Sequence, residues 1–352
     1  MAYITVIPGD GIGVDVTAEA VKVLRVAAAA FRFPLELEEL DYGAERYLRT
    51  GETFPAPVLE KIRTGSDAVL LGAVGDPRVP DMTHAREILF GLRFGLDLYI
   101  NLRPVRCLHP SLLPLRDQRP EDVDMMFFRE NTEGLYVNVG GIFKKGTEHE
   151  VAINEDLNTR HGVERIIRAA FEWARVHKRR KVTMADKSNA LRYAHDLWVR
   201  TFAEVGKEYQ DLEQEHLFVD ALAMQMIRKP QDYDVVVTCN MFGDILTDLG
   251  AALQGGLGIA GSGNIHPGKV SMFEPVHGSA PKYAGKDVAN PLAAILTVGM
   301  LLDHVGQPAA ADAVEGAVKA ALAQGKVPKD LGGTLGTRAM GDFVAELVAR
   351  TN

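Results

Sequence analysis

Short runs rich in β-branched and aliphatic residues recur along the chain, at residues 4–7, 68–71, 123–128, 181–184 and 234–238, with stretches of helical periodicity between them. A strand that is apolar on both faces must be covered on both sides, and crossover helices supply that cover, so the rhythm restricts the chain to an α/β architecture with a largely parallel sheet. The opening sets the pattern. Residues 4–7 lead into the turn Pro8-Gly9-Asp10-Gly11-Ile12-Gly13, then into a helix with Val16, Ala20, Val23, Leu24 and Ala27 on one face. Val163, Ile166, Ile167, Ala170 and Ala174 form a second such stripe. Residues 137–154 break the rhythm: Gly140-Gly141, Lys144-Lys145-Gly146 and the alternating Glu150-Val151-Ala152-Ile153 read as a hairpin too small to be stable alone, which points to a partner chain as its cover. Residues 255–291, rich in Gly and Pro, read as loop, and residues 291–305 as a packed helix. No internal repeat is visible.

At 352 residues the chain holds one large or two moderate domains, and its 47% hydrophobic and 24% charged content is that of a soluble globular protein. A net charge of -8 argues against nucleic acid as a partner, because a phosphate backbone needs a basic face. No apolar window reaches membrane-spanning length, and the amino terminus lacks the basic and apolar regions of a secretory leader. The two cysteines, Cys107 and Cys239, form no C-x-x-C pair, so a reducing cytoplasm is the expected location.

The chemistry-bearing groups follow the strands. In Asn240-Met241-Phe242-Gly243-Asp244-Ile245-Leu246-Thr247-Asp248, two carboxylates fall one helical turn apart just after the run 234–238, at the strand edge where α/β sheets collect ligands. A solvated helix face could carry such a pair at a cost of only about 0.2–0.5 kcal/mol; a divalent cation would use it. Asp220 adds a third carboxylate after another apolar run, and an all-oxygen set suits Mg²⁺ or Mn²⁺ better than Zn²⁺. Arg93, Arg103 and Arg129 each adjoin an apolar run; singly they are surface ion-pair partners, together they would grip a di- or tricarboxylic acid. Lys187, after residues 181–184, is either a solvated amine or a base whose pKa is lowered by its surroundings. Tyr136 is either a core residue or an acid. Gly9-Asp10-Gly11-Ile12-Gly13 lacks G-x-G-x-x-G spacing and reads first as a tight turn into a helix. The loop Glu274-Pro275-Val276-His277-Gly278-Ser279-Ala280-Pro281-Lys282-Tyr283 offers a surface for a nucleotide. The chain has no H-E-x-x-H, G-x-S-x-G or G-x-x-x-x-G-K-[ST] sequence, which disfavours zinc proteases, serine hydrolases and P-loop phosphotransferases.

Taken in order, these segments resemble the β-decarboxylating dehydrogenases, the family of isocitrate, 3-isopropylmalate, homoisocitrate and tartrate/D-malate dehydrogenases. The match rests on Pro8 to Gly13, Asn101-Leu102-Arg103-Pro104, Arg129-Glu130-Asn131-Thr132-Glu133-Gly134-Leu135-Tyr136, Asp186-Lys187-Ser188-Asn189, the Asn240 to Asp248 run, Glu274 to Pro281, and Gly285-Lys286 through Asn290-Pro291. The resemblance implies a two-domain isocitrate/isopropylmalate dehydrogenase-like α/β fold, distinct from the Rossmann fold. Residues 1–98 plus 252–352 would form the cofactor-binding domain, and residues 99–251 a dimerisation domain with a β-hairpin arm at about 137–154 that clasps a homodimer. It implies Asp244 and Asp248 as metal ligands with Asp220 from the neighbouring subunit, and Arg93, Arg103 and Arg129 on the substrate carboxylates. Lys187, also from the neighbour, would be the base and Tyr136 the acid. Cofactor contacts are implied at Glu274, His277, Gly278, Ser279, Ala280, Lys282, Tyr283 and Asn290. The implied reaction is oxidation of a 2-hydroxy acid by hydride transfer to the nicotinamide, followed by loss of CO₂ and protonation of the resulting enolate.

Residues just before Arg93 are implied to face the variable substituent of the substrate. Glu87 and Leu89 stand where the isocitrate pattern has serine and asparagine, and Phe90 where homoisocitrate enzymes have an arginine. Apolar Leu89 and Phe90 suit an isopropyl group, but an aromatic followed by Gly91-Leu92-Arg93, together with Gly140-Gly141, residues 146–151, Thr159-Arg160, Gly162-Val163 and Lys187-Ser188-Asn189, resembles the tartrate/D-malate branch. A malate-like acid is therefore expected, with 3-isopropylmalate as the alternative, then homoisocitrate or isocitrate. Lys282-Tyr283 follows Ser-Ala-Pro where NAD-dependent members have an aspartate, so NADP⁺ is favoured over NAD⁺. A noncatalytic regulatory relative, or a carboxylate- or metal-binding protein without redox chemistry, would show no nicotinamide reduction.

Overall fold

The computed structural model describes residues 1–351. The chain opens with β1 (Ala2–Gly9), α1 (Ile12–Ala30), β2 (Leu35–Glu39), α2 (Ala44–Thr50), α3 (Ala56–Gly65), β3 (Ala68–Ala73) and α4 (Thr83–Gly95). It continues through β4 (Ile100–Arg106), β5 (Asp124–Glu130), β6 (Gly140–Phe143), β7 (Val151–Asn154), α5 (Arg160–Val176), β8 (Lys181–Asp186), α6 (Ala194–Gly206), β9 (Glu213–Phe218), α7 (Val219–Arg228), β10 (Val235–Thr238) and α8 (Asn240–Leu253). The last part carries β11 (Gly261–Ile265), β12 (Ser271–Pro275), α9 (Leu292–His304), α10 (Pro308–Ala323) and α11 (Thr337–Ala349). Two compact units result, one from Met1–Leu98, Arg106–Pro120 and the residues from Ala251 onward, the other from Tyr99–Val105 and Glu121–Gly250. The stretch Arg106–Pro120 thus departs from an unbroken 99–251 segment. Its reason is local: the Arg106 amide donates to Gln254 Oε1 at 2.6 Å, its guanidinium pairs with Glu315, and Leu112 lies against Gly255.

In the first unit the strands run β2-β1-β3-β12-β11, parallel except for the antiparallel β11/β12 pair. The α1 stripe of Val16, Ala20, Val23, Leu24 and Ala27 is fully buried. On the sheet, Ile7, Val69, Leu71 and Met272 pack with Ile88 and Leu92 of α4, which fixes that helix and the Arg93 it carries. Residues 255–291, expected as loop, contain both β11 and β12. Glycines hid β11: a Cβ on Gly261 would lie 2.8 Å from Thr297 Oγ1 of α9, so only a bare backbone lets that helix approach.

The turn after β1 is a junction and not a phosphate cradle. Asp10, 5% exposed, accepts from the Ala44 amide at 2.6 Å on Oδ1 and from the Gly75 amide at 2.7 Å on Oδ2, which also lies 2.8 Å from His84 Nε2. One carboxylate thereby ties together the starts of α2 and α4 and the loop after β3. Gly11, at φ +56°, lets Ser279 O approach so closely that a Cβ would stand 2.2 Å from it, and the Ile12 amide donates to that oxygen at 2.7 Å.

The second unit orders its strands β4-β5-β10-β8-β9, with β5/β10, β10/β8 and β8/β9 parallel. Thr238 is level with Arg129 on one side and Ala185 on the other, so β5, β10 and β8 end together. The α5 stripe of Val163, Ile166, Ile167, Ala170 and Ala174 is fully buried, and Phe171 stacks on Phe202 and Tyr209. The β6/β7 pair forms a two-stranded antiparallel hairpin whose eight strand residues are all exposed, including Ile142, Phe143, Val151 and Ile153.

Asp10→Ala leaves two backbone amides and a histidine without their buried acceptor, each worth about 1–3 kcal/mol, so the unfolding free energy should fall by roughly 3 kcal/mol or more. Urea unfolding monitored by circular dichroism checks this; an unchanged midpoint would remove the junction from the account.

Candidate active site

The common carboxyl edge of β5, β10 and β8 sets out the polar groups of the second unit. β5 runs two residues beyond the apolar run read from sequence, so Arg129 is a strand residue, 2% exposed. Its Nε and Nη2 donate to Asn240 Oδ1 at 3.0 and 2.8 Å, and its Nη1 donates to Asp244. Arg103, on β4, donates to Thr247 Oγ1 at 2.7 Å and stands 3.5 Å from Asp244 Oδ1. The Tyr136 hydroxyl donates to Asp244 Oδ2 at 3.0 Å, with the Arg129 guanidinium 5.4 Å from its ring centre. Gly243 is required here: a Cβ would sit 2.5 Å from Arg129 Cγ.

The electrostatics follow from this crowding. Burial pushes the Asp244 carboxyl up, but Arg129 and Arg103 more than offset it and hold the group below its usual range. Burial, then the Asp244 charge, raises the Tyr136 phenol, so it keeps its proton through neutral pH. Asp248 follows one turn along α8 and is exposed.

Lys187 follows β8, with its ammonium paired to Asp220 in the first turn of α7. That pairing lowers the Asp220 pKa. Asp220 is not beside Asp244 and Asp248 within the chain: no group of three His, Cys, Asp or Glu side chains forms a metal cage among the described residues.

In the first unit, Arg93 pairs with Glu274 at 2.9 Å, and Asn264 Nδ2 donates to the same carboxylate oxygen at 2.9 Å. Ser279 is buried and donates to Gly75 O, while Gly278 is exposed beside it. Ala280 takes φ +36°. Burial lowers the His277 pKa. Asn290 is fixed by Asp330 at 2.9 Å and by the Leu292 amide at 3.0 Å. Lys282 lies 4.8 Å from the ring centre of half-exposed Tyr283. Leu89 packs on the α4 core, and Phe90 stacks on Phe94 at 5.4 Å.

Sequence reading missed the framework: Asn240 and Thr247, which orient the arginines, and Asp10 and His84 in the first unit. Asn240 and Thr247 stand inside the acidic run, where spacing from Asp244 was the available signal; nothing local marked His84.

Over residues 3–344 the chain matches the isocitrate/isopropylmalate dehydrogenase family. The 3-isopropylmalate dehydrogenase of Thermobifida fusca is 47% identical over 98% of this chain and 97% of its own length. That of Frankia casuarinae is 51% identical over 91% and 92%. The crystal structure of isocitrate dehydrogenase from Methylococcus capsulatus superposes with a TM-score of 0.90 at 37% identity, covering 99% of this chain and 100% of that one. The chain belongs to the isocitrate/isopropylmalate dehydrogenase family and is an NAD(P)-dependent β-decarboxylating dehydrogenase. Members of this family use a divalent metal and act on hydroxy acids, typically as dimers. No helix among the described residues is long and apolar enough to cross a membrane.

These relatives do not support the expected tartrate/D-malate specificity. Of the segments that suggested it, those within residues 140–163 form an exposed hairpin and the start of α5, while Phe90-Gly91-Leu92-Arg93 lies on α4 and Lys187-Ser188-Asn189 follows β8.

Cys239, at the start of α8, has no part in this chemistry: burial pushes its thiol up to about 12. Cys107 is buried as well. Neither should react with Ellman's reagent in the native protein, and both should react in denaturant; a fast native thiol would contradict this packing.

Proposed function

We propose that this chain catalyses the oxidative decarboxylation of a 3-isopropylmalate-type acid. The observation that carries the reading is the set of relatives 46–51% identical over 90–98% of the chain, each named 3-isopropylmalate dehydrogenase. The half-buried Leu89 and Phe90 agree with it, because an isopropyl group gains by leaving water for an apolar face whereas a free carboxylate would lose its hydration there.

In this reading Arg93, Arg103 and Arg129 are assigned to the substrate carboxylates. Tyr136, kept protonated, donates to the carbon left by CO₂. Lys187, from a second copy, takes the hydroxyl proton as the neutral amine and becomes the ammonium. Asp244 and Asp248 of one copy, with Asp220 of the other, hold the metal. The single-chain geometry fits that division: two carboxylates share one helix, and the third is exposed and available to a neighbour. When bound, Mg²⁺ or Mn²⁺ supplies Lewis-acid polarisation of the substrate oxygens. A cation beside two guanidiniums is repelled, and the acid substrate neutralises both. The exposed apolar hairpin β6/β7 gains its cover by clasping a second copy as a homodimer. Two buried cysteines that form no disulfide suit a cytoplasmic location.

For the cofactor we propose NADP⁺ over NAD⁺. Lys282 pairs with no carboxylate among the described residues and stands beside a phenol, a seat for a 2′-phosphate. Glu274, His277, Gly278, Ser279, Ala280 and Asn290 are assigned to the same cofactor-binding set.

One assay matrix tests both halves: 3-isopropylmalate, D-malate, tartrate, isocitrate and homoisocitrate, each with both nicotinamides and with Mg²⁺ or Mn²⁺. Expected are the highest kcat/KM with 3-isopropylmalate, a preference for NADP⁺, and a reversal of that preference in Lys282→Asp on the order of tenfold or more, the worth of one charged hydrogen bond. A preference for D-malate or tartrate, or for NAD⁺ in the unaltered protein, would overturn the corresponding half.

A further inference from the structure

Lys187 reaches Asp220 through a flexible side chain, but its peptide is clamped on both sides. Before it, buried Asp186 accepts from the Ser188 amide at 3.1 Å and hydroxyl at 3.2 Å and lies 2.9 Å from His216 Nε2. After it, a ring of three hydrogen bonds closes: the Leu191 amide to Lys187 O at 2.8 Å, the His195 amide to Leu191 O at 3.0 Å, and the Lys187 amide to His195 Nδ1 at 3.0 Å.

The last bond fixes the imidazole. A backbone N–H only donates, so Nδ1 must offer its lone pair and the ring proton must sit on Nε2. His195 is 1% exposed, and its Nε2 makes no hydrogen bond; the carboxylate oxygen Asp156 Oδ2, 3.6 Å away, favours a proton there. The ring packs against Phe242, with centres 5.4 Å apart. A proton on Nδ1 would break the bond and release the peptide that aims the amine.

We infer that His195, as its neutral Nε2–H tautomer, is a positioning residue that sets the direction of the Lys187 amine by accepting the Lys187 backbone N–H. This rests on the reading of Lys187 as the base. The geometry makes a side-chain distinction that packing alone would not make. An asparagine places an amide oxygen near the position of Nδ1, whereas a glutamine reaches the position of Nε2 and leaves Nδ1 unreplaced.

The experiment compares His195→Asn, His195→Gln, His195→Phe and Lys187→Met in the full-length protein, by kcat and KM for the acid substrate and by thermal melting. His195→Asn should retain most of kcat. His195→Gln and His195→Phe should lose kcat on the order of 100-fold, the cost of a misaimed group, with KM for the acid nearly unchanged. If Lys187→Met is inactive while His195→Gln keeps full kcat, the positioning role is overturned and the base reading stands. If Lys187→Met keeps full kcat, the base reading fails and takes the inference with it. A readout independent of turnover is the long-range ¹⁵N–¹H spectrum of histidine rings: the signal lost in His195→Asn should show the Nε2–H pattern, and an Nδ1–H pattern would overturn the inference. Melting of the variants separates a folding defect from a kinetic one, and the spectrum of the unaltered protein decides the tautomer even if a variant fails to fold.

Discussion

The Asp244 carboxylate is the point on which the polar cluster of the second unit turns. It is partly withdrawn from water, which alone would drive it toward the neutral acid, and two guanidiniums reverse that tendency. The arginines depend on it in return. Arg129 is almost wholly buried in the strand edge, where an unpaired charge would cost several kcal/mol, and Asp244 and Asn240 compensate it. Tyr136 completes the arrangement by donating to the remaining carboxylate oxygen. The result is a patch of two cations and a phenol around a single anion.

The first unit uses the same economy at Asp10, where one buried carboxylate joins three segments distant in sequence. One of them is the start of α4, the helix that presents Leu89, Phe90 and Arg93. The loop bearing Ser279 meets the same turn through Ile12 and Gly75. Residues assigned to substrate and cofactor are thus braced on a shared junction within one compact unit.

Much of this was legible in the sequence because periodicity reports burial directly. The α1 and α5 stripes were visible as apolar spacing, and every residue in them is fully buried. The hairpin was visible because glycine pairs and alternation survive without tertiary context. Strand β11 was not, since Gly261, which admits α9, and Gly263 remove the apolar signal that marks a strand, and β12 offers only two apolar residues between Ser271 and Glu274. For the site, Asp244 and Tyr136 were nameable from family motifs, but the Asn240 and Thr247 contacts that orient the arginines arise only when β4, β5 and α8 come together. His195 was invisible for the same reason: an isolated histidine eight residues after a lysine carries no pattern, and only the folded turn brings its ring to that lysine's amide.

Manganese binding followed by electron paramagnetic resonance, with the acid substrate present to neutralise the guanidiniums and the nicotinamide withheld so that no turnover occurs, tests the central claim most directly. The account predicts a stoichiometric site in the unaltered protein that is lost in Asp244→Asn and in Asp220→Asn, and partly restored when the two variants are co-expressed and an intact set of carboxylates can form between copies. Unchanged Mn²⁺ affinity in either single variant, or no recovery on co-expression of well-folded chains, would contradict it.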